Sequence, residues 1–270
     1  MAYKGKDMEN LALKTDNLIE EKNLTPEEQA LDISNLDYSK KYSNEFYQAY
    51  IESFEKNTKS RWLYKFLKRL FDIIFSIFAL LLFSPIFIIT AIAIKIDSKG
   101  PILFKQKRVG KNGKIFTCYK FRSMKEDAPH ECATSLLNDT KKDPYTKVGR
   151  IIRKLSIDEL PQLICVLFNT MSVIGYRPLI ISEEKCNDMR MRLGVFDMKP
   201  GISGYAQVCG RDDVHYKNKA LLDAEYVKRA SLWFDFKIFL KTIKVVLTRT
   251  GNHIKNHAKK DKKKAKKDAK

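Results

Sequence analysis

The longest apolar stretch of the chain runs from Leu70 to Ile94 and contains a single charged residue, Asp72. A helix needs about 20 mostly apolar residues to cross the hydrocarbon core of a bilayer, so this stretch is long enough. Ser84 and Pro85 lie near its midpoint. A proline inside a helix removes one backbone hydrogen bond and clashes with the preceding turn. The pattern therefore predicts a membrane helix that breaks or kinks at Pro85.

Basic residues flank this apolar stretch on both sides: Arg61, Lys65, Lys68 and Arg69 before it, and Lys95, Lys99, Lys105, Lys107 and Arg108 after it. Positive charge stays on the cytoplasmic side of membranes, so both ends are expected there, which requires a re-entrant hairpin. The alternative is a spanning helix with a proline kink, because membranes tolerate such kinks. The pattern by itself leaves both open. No small-residue cleavage site follows the stretch, which distinguishes it from a signal peptide.

Two shorter segments of β-prone residues follow, with a turn containing Asn-Gly between them: 102–109 and 114–122, with the turn at Asn112 and Gly113. Asn-Gly between two such segments is a strong hairpin signal. Alternate residues of a strand share a face, so Lys120 and Arg122 are expected side by side at the end of the second strand. A solvated strand edge is the alternative interpretation of these two cations.

Residues 145–168 form a helical region in which Pro161 marks the start of a helix. The first turn of a helix tolerates proline, because its backbone N–H groups have no intrahelical partner. Asp158 is then expected at or near the N-cap, where the positive end of the macrodipole favours an ionised carboxylate. Such a group suits nucleophilic or metal chemistry. An ordinary cap is the alternative, because Ser156 and Glu159 have the spacing of a capping box.

Two glycine-rich segments bearing arginine come next, at 175–178 and 199–211. Glycine lets backbone N–H groups approach a phosphate, and arginine binds it through two parallel hydrogen bonds. These segments are candidate anion sites, and rigid loops are the alternative.

The segment 231–249 has the pattern of an amphipathic helix, with one apolar face: Leu232, Phe236, Phe239, Ile243 and Val246. A helix with aromatic residues and a lysine rim suits the headgroup plane of a membrane. A helix packed on the core is the alternative. Residues 1–59 are a polar extension whose aromatic residues recur at helical intervals, so part of it is expected to pack on the main domain or on a partner. Residues 251–270 are lysine-rich and expected to be disordered.

The formal net charge of +19 indicates anionic partners, among which lipid phosphate, nucleotide phosphate and nucleic acid all qualify. The membrane segment favours the first two, so no nucleic acid is expected. The five cysteines are scattered, with no Cys-x-x-Cys pair. This spacing argues against a zinc site and suits a reducing compartment.

Five motifs occur in a distinctive order: Ser84-Pro85 in the apolar stretch, Tyr-Lys-Phe-Arg-Ser-Met at 119–124, Leu-Ser-Ile-Asp-Glu-Leu-Pro-Gln-Leu at 155–163, Met-Ser-Val-Ile-Gly-Tyr-Arg-Pro at 171–178 and Lys-Pro-Gly-Ile-Ser-Gly at 199–204. In this order they resemble the bacterial sugar transferases, which are small monotopic phosphoglycosyl transferases. The resemblance covers about residues 65–251 and neither terminal extension. It implies transfer of a sugar 1-phosphate from a UDP-sugar to polyprenyl (undecaprenyl) phosphate, with release of UMP, as the first membrane step of glycan assembly.

The resemblance also implies roles for individual residues. Asp158 matches the nucleophile that forms a covalent phosphosugar intermediate, and Glu159 would assist as metal ligand or base. Both carboxylates would contact a Mg²⁺ cofactor. Four cations match positions that bind the phosphates: Lys120, Arg153, Arg177 and Arg211. Tyr176 departs from the family pattern, which commonly has proline there, so the geometry of this loop and the sugar preference are open.

The expected fold is α+β: a mainly helical monotopic membrane protein with a re-entrant helix at 70–94, a β-hairpin and interfacial amphipathic helices. The resemblance favours the hairpin over the spanning helix. The catalytic domain is expected at 60–250, on the cytoplasmic face of the bacterial inner membrane, with membrane lipids and downstream glycosyltransferases as further partners. One alternative is a transferase for another nucleotide-sugar or lipid phosphate. Another is a catalytically inactive, membrane-anchored scaffold that binds anionic lipid or glycosyltransferases, although retention of Asp158, Glu159 and Arg177 argues against it.

Overall fold

The computed structural model describes residues 41–54, 61–126, 128, 144–210 and 214–248. The described chain is mostly helical and contains two small sheets, so the α+β expectation is confirmed. The helices are α1 (Asn44–Ser53), α2 (Trp62–Leu82), α3 (Ser84–Asp97), α4 (Lys147–Lys154), α5 (Gln162–Leu167), α6 (Glu184–Arg192), α7 (Tyr205–Cys209), α8 (Tyr216–Arg229) and α9 (Leu232–Thr248). The strands are β1 (Leu103–Val109), β2 (Ile115–Phe121), β3 (Ser172–Ile174) and β4 (Gly201–Ser203).

The apolar stretch forms two helices, α2 and α3, which meet at Phe83 with a bend of 60°. Pro85 lies in the first turn of α3, where its missing N–H leaves no helical bond unmade. The Ser84 hydroxyl donates to the carbonyl of Leu81 (2.8 Å). The predicted break at Ser84-Pro85 is therefore confirmed. No single helix in the described residues is long and apolar enough to cross a bilayer, whereas the bent pair passes that test together.

Polar side chains of α2 fasten the bent pair to the rest of the fold. Asp72 accepts hydrogen bonds from the Ser172 hydroxyl (3.0 Å) and the Val173 N–H (2.9 Å), at the start of β3. The Arg69 guanidinium donates to the carbonyls of Val166 (2.6 Å) and Leu167 (3.0 Å), at the end of α5. The remaining surface of α2 is largely apolar and exposed, which suits burial in a bilayer.

β1 and β2 form the predicted antiparallel hairpin, with Leu103 opposite Phe121. Its turn is a 3₁₀ turn at Lys111–Gly113, where Asn112 adopts a positive φ of 56°. Lys120 and Arg122, which the sequence predicts side by side, have different partners. The Arg122 guanidinium donates to backbone carbonyls after the end of α3, whereas Lys120 contacts an acidic residue further along the chain.

The aromatic residues before the apolar stretch contribute to the core. Phe46 of α1 is 1 % exposed, and the Tyr47 hydroxyl donates to Asn218 Oδ1 (2.8 Å). Both aromatics belong to one buried cluster that includes Tyr176 and residues of α6 and α8. The expectation that part of the extension packs on the main domain is thus confirmed for α1. The predictions for residues 1–40 and for the lysine-rich tail concern segments outside the described residues.

α9 is the predicted amphipathic helix, but the side that packs on the protein is polar as well as apolar. Its Asp235 is buried and accepts hydrogen bonds from Tyr64 (2.9 Å), Lys68 (2.8 Å) and Tyr226 (2.8 Å). Most of the predicted apolar face stays exposed: Leu232, Phe236, Ile243 and Val246. An exposed apolar side and an anchored polar side favour the membrane-surface interpretation of this helix.

Candidate active site

Asp158 and Glu159 lie in a 3₁₀ turn, Ile157–Glu159, between α4 and α5. Ser156 adopts a left-handed conformation (φ 58°) that ends the preceding helical segment. The sequence predicts Asp158 at or near the N-cap of α5; the N-cap of α5 is Pro161 itself, and Asp158 lies three residues before it in the separate 3₁₀ turn. The capping box is not formed either, since the Ser156 side chain makes no capping hydrogen bond in this described turn.

Glu159 is fixed by two cations that come from different parts of the chain. Lys120, near the end of β2, lies 2.8 Å from its Oε1, and Arg177, in the loop after β3, lies 2.9 Å from the same atom. Burial acts to raise the pKa of Glu159, but Arg177 and Lys120 outweigh it and hold that pKa well below its usual range. Glu159 is therefore ionised and held in place.

Asp158 has a different environment from its neighbour. It is 6 % exposed, and burial raises its pKa above the usual value, with the Glu159 charge adding to that effect. The charges of Lys120, Arg153 and Arg177 oppose the rise. These three nearby cations favour the ionised form of Asp158. Three cations surround two carboxylates, which gives the site a positive balance suited to an anionic ligand.

The two glycine-rich segments pack directly on each other. The Gly175 N–H donates to the Ser203 carbonyl and the Gly201 N–H to the Tyr176 carbonyl, both at 2.8 Å. A Cβ added at Gly201 would lie 2.1 Å from the Gly175 nitrogen. These glycines allow close approach of two backbones, and their N–H groups are already occupied. The expectation that they cradle a phosphate is therefore not supported, and Arg177 is the anion-binding candidate of this loop.

The loop that carries Arg177 rests on a buried ion pair that sequence reasoning missed. Arg190 of α6 pairs with Asp223 of α8, donates to the Arg177 carbonyl (2.9 Å), and lies over the Tyr176 ring (5.4 Å). Tyr176 itself is completely buried. Arg190 lies in a helix rich in charged residues, so nothing in the sequence indicates that it is buried. The apolar residues on either side of Asp223 in α8 are a weak indication that Asp223 is buried.

Of the two other predicted phosphate-binding cations, Arg153 and Arg211, the structure describes only Arg153. The Arg153 guanidinium lies over the Tyr145 ring (4.9 Å) and acts on Asp158 through its charge. Arg211 lies outside the described residues. The structure thus brings Lys120 and Arg177 into contact with Glu159, with Arg153 at the edge of the group.

Two of the scattered cysteines meet behind the site. Cys118 of β2 and Cys165 of α5 are both buried. The neighbouring Cys165 thiol lowers the pKa of Cys118 against the opposing effect of burial, with help from Arg108 and Lys120. The sequence places these thiols far apart, so no spacing rule predicts the pair.

The predicted Mg²⁺ requires oxygen ligands near Asp158 and Glu159. The described residues contain no cluster of three or more His, Cys, Asp or Glu side chains that could hold a metal ion. Magnesium is commonly held by one or two carboxylates together with substrate phosphates and water. Both cations on Glu159 contact Oε1, which leaves its Oε2 and the Asp158 carboxylate as donors. The pair therefore fits a magnesium ion that binds together with a diphosphate.

Comparison with known proteins covers most of the chain. The family model described as bacterial sugar transferase matches residues 63–249. The chain is 40 % identical over 243 residues to an undecaprenyl-phosphate galactose phosphotransferase of Salmonella typhimurium, covering 84 % of this chain and 49 % of the relative. It is 40 % identical over 196 residues to a UDP-N-acetylgalactosamine-undecaprenyl-phosphate N-acetylgalactosaminephosphotransferase of Aeromonas hydrophila, covering 70 % and 45 %.

An uncharacterized sugar transferase of Bacillus subtilis, EpsL, is 40 % identical over 192 residues, covering 70 % of this chain and 93 % of the relative. The chain thus spans about half the length of the first two relatives and matches nearly all of the third. The family model leaves out α1, although that helix is part of the core. The resemblance drawn from the five motifs is confirmed, and the chain belongs to the bacterial sugar transferase family.

Proposed function

We propose that the protein transfers a sugar 1-phosphate from a UDP-sugar to undecaprenyl phosphate and releases UMP, as the first membrane step in the assembly of a bacterial polysaccharide. The observation that carries the proposal is the carboxylate pair of buried Asp158 and partly buried Glu159, with Lys120, Arg177 and Arg153 as neighbouring cations. The names of two relatives support it, since they describe phosphotransfer of galactose and of N-acetylgalactosamine with undecaprenyl phosphate. Because those sugars differ, we leave the sugar unspecified.

We assign the nucleophile to Asp158 because of the contrast between the two carboxylates. Glu159 is held in two ion pairs and has a depressed pKa, which makes it a weak nucleophile and a poor proton acceptor. The raised pKa of Asp158 makes its ionised form more basic and therefore more reactive. Glu159 is better suited to hold Lys120 and Arg177 in place and to ligate a metal.

The proposed reaction has two displacements at one phosphorus. A carboxylate oxygen of Asp158 bonds to the β-phosphorus of the UDP-sugar, and the bond from that phosphorus to the bridging oxygen breaks, so that UMP leaves with the electron pair. A phosphate oxygen of the lipid then bonds to the same phosphorus, and the bond to Asp158 breaks. Each step exchanges one phosphorus–oxygen bond for another, which avoids bringing a soluble and a lipid substrate together at once.

The cations would stabilise charge during both steps. Lys120 and Arg177 already lie beside the carboxylate pair and would neutralise the diphosphate and the departing UMP. Arg153 and Arg211 are proposed to contribute to phosphate binding. Mg²⁺, held by Asp158 and Glu159 when bound, would supply further neutralisation of the phosphate oxygens.

We infer that α2 and α3 enter the membrane as a re-entrant hairpin, with the site on the cytoplasmic face of the inner membrane. The 60° bend and the basic residues at both ends support this topology. The lipid product would then be released on the side where downstream glycosyltransferases bind it.

The test is release of UMP in the absence of lipid acceptor. With the correct member of a panel of UDP-sugars, the protein should release one equivalent of UMP, and the peptide containing Asp158 should gain the mass of the phosphosugar. Asp158→Asn should abolish both while the protein stays folded. Asp188→Asn makes the same change on an exposed position and should leave the burst unchanged.

A normal burst from folded Asp158→Asn, or an adduct on another peptide, would show that the nucleophile is wrongly assigned. Release of no UMP from any donor would overturn the transferase proposal and favour the scaffold alternative.

A further inference from the structure

Helix α4 exposes more apolar surface than its packing explains. Its Ile152 is buried against Ile94 of α3 and Phe121 of β2. Two neighbouring side chains point away from that contact, since Ile151 is 59 % exposed and Leu155, just after the helix, is 41 % exposed. Large apolar side chains that remain exposed near a charged site indicate a surface for an apolar or amphiphilic ligand.

The position of α4 connects the membrane helices to the reactive turn. At its start, the Val148 N–H donates to the Asp97 carboxylate (2.9 Å), at the end of α3. At its end, the chain passes through Leu155 and Ser156 into the turn that carries Asp158. α4 therefore lies between the end of the apolar hairpin and the proposed nucleophile.

Both α3 and α4 carry exposed apolar residues. α3 exposes four isoleucines: Ile88, Ile89, Ile92 and Ile96. On α4, Ile151 and Leu155 are one helical turn apart, so they lie on one side of the helix, about 6 Å from each other along its axis. Leu155 precedes Asp158 by three residues. Exposed apolar side chains thus occur on both contacting helices, and those of α4 lie next to the reactive turn along the chain.

We propose that Ile151 and Leu155 bind the first isoprenoid units of the polyprenyl phosphate acceptor and so direct its phosphate to Asp158. This inference rests on the proposed function and deepens it by naming an acceptor subsite. The chemistry favours this occupant over another class, because an apolar chain joined directly to a phosphate matches an apolar helix side that is followed by a carboxylate among three cations. Because α4 contacts α3, which also exposes apolar side chains, the rest of the long chain can lie along a neighbouring membrane helix.

The test separates the two half-reactions. Ile151→Gln and Leu155→Gln, singly and together, replace apolar side chains by a polar one of good helix propensity. The lipid-free burst of UMP should be unchanged in these variants, because the donor step does not use the subsite. The KM for undecaprenyl phosphate should rise about tenfold in the double variant, a change of ~1.4 kcal/mol in binding.

A short acceptor distinguishes a subsite from general membrane attachment. Geranyl phosphate carries two isoprenoid units and does not depend on the bilayer for presentation, yet its KM should rise by the same factor. Leu247→Gln is the matched control, because Leu247 is 75 % exposed on α9, which packs on β3 and β4. It should leave the KM of both acceptors unchanged.

Unaltered use of geranyl phosphate by the double variant would overturn the proposal, because α4 would then only contact bulk lipid. An equal effect of Leu247→Gln would overturn it as well. If the unaltered protein gives no burst of UMP, the proposed function itself fails, and the acceptor subsite fails with it.

Discussion

Replacement of Asp223 by leucine should strongly destabilise the protein, because it leaves the charge of Arg190 without its partner. Both side chains of this ion pair are 0 % exposed. Removing one partner from a buried pair typically costs about 3–5 kcal/mol, since the remaining charge has no compensation. In a domain of this size, each kcal/mol lowers the melting temperature by roughly 2–4 °C, so Asp223→Leu should melt roughly 6–20 °C lower.

The double variant Arg190→Met with Asp223→Leu should recover much of that loss. The pair is incompletely satisfied, because Arg190 Nε and Asp223 Oδ1 are buried without a hydrogen-bond partner among the described residues. Its net contribution to stability is therefore small, and an apolar pair of similar volume is often neutral. The double variant still loses the hydrogen bond to the Arg177 carbonyl, which contributes about 1 kcal/mol.

Thermal unfolding of the detergent-solubilised protein, followed by circular dichroism, measures the melting temperatures. Asp223→Leu should melt lowest, and the double variant should melt between it and the unaltered protein. Arg229→Met is the matched control, because the Arg229 side chain is 52 % exposed and its ion pair with Glu225 (3.5 Å) should contribute less than about 1 kcal/mol. The UMP burst, measured well below every melting temperature, should be slower in the double variant, since Arg177 loses the support of Arg190. An unchanged melting temperature for Asp223→Leu would refute the reasoning. A double variant that melts no higher than Asp223→Leu would refute it too.

Two further predictions concern the extension and the membrane segment. Phe46→Ala should cost about 3–5 kcal/mol in unfolding free energy, because Phe46 of α1 is buried in the core, whereas the exposed control Glu52→Ala should cost little; equal melting temperatures would contradict this. Cysteines placed at Lys59 and Lys99 should both resist periplasmic labelling in intact cells. Pro85→Leu, by restoring a backbone hydrogen bond, should make Lys99→Cys partly accessible, and unchanged labelling would show that other contacts set the bend.

Local constraints explain what the sequence by itself determined. Pro85 lacks the backbone N–H that a continuous helix needs, so the break between α2 and α3 follows from the residue type at this position. Asn112 accepts a positive φ, so the hairpin turn follows from its residue type. The helical intervals of the aromatics in α1 likewise predicted a packed face. Each of these features depends on residues that are near one another in the chain.

The tertiary structure alone decided how the site is assembled. Lys120 and Arg177 reach Glu159 across 39 and 18 residues, distances over which no periodicity carries information. The sequence placed Asp158 at or near the N-cap of α5, whereas only the structure shows that Ser156 adopts a left-handed conformation and that Asp158 lies in a separate turn before Pro161. The Arg190–Asp223 pair was invisible for the same reason. Burial and charge pairing are properties of neighbours in space, and the linear pattern records only neighbours along the chain.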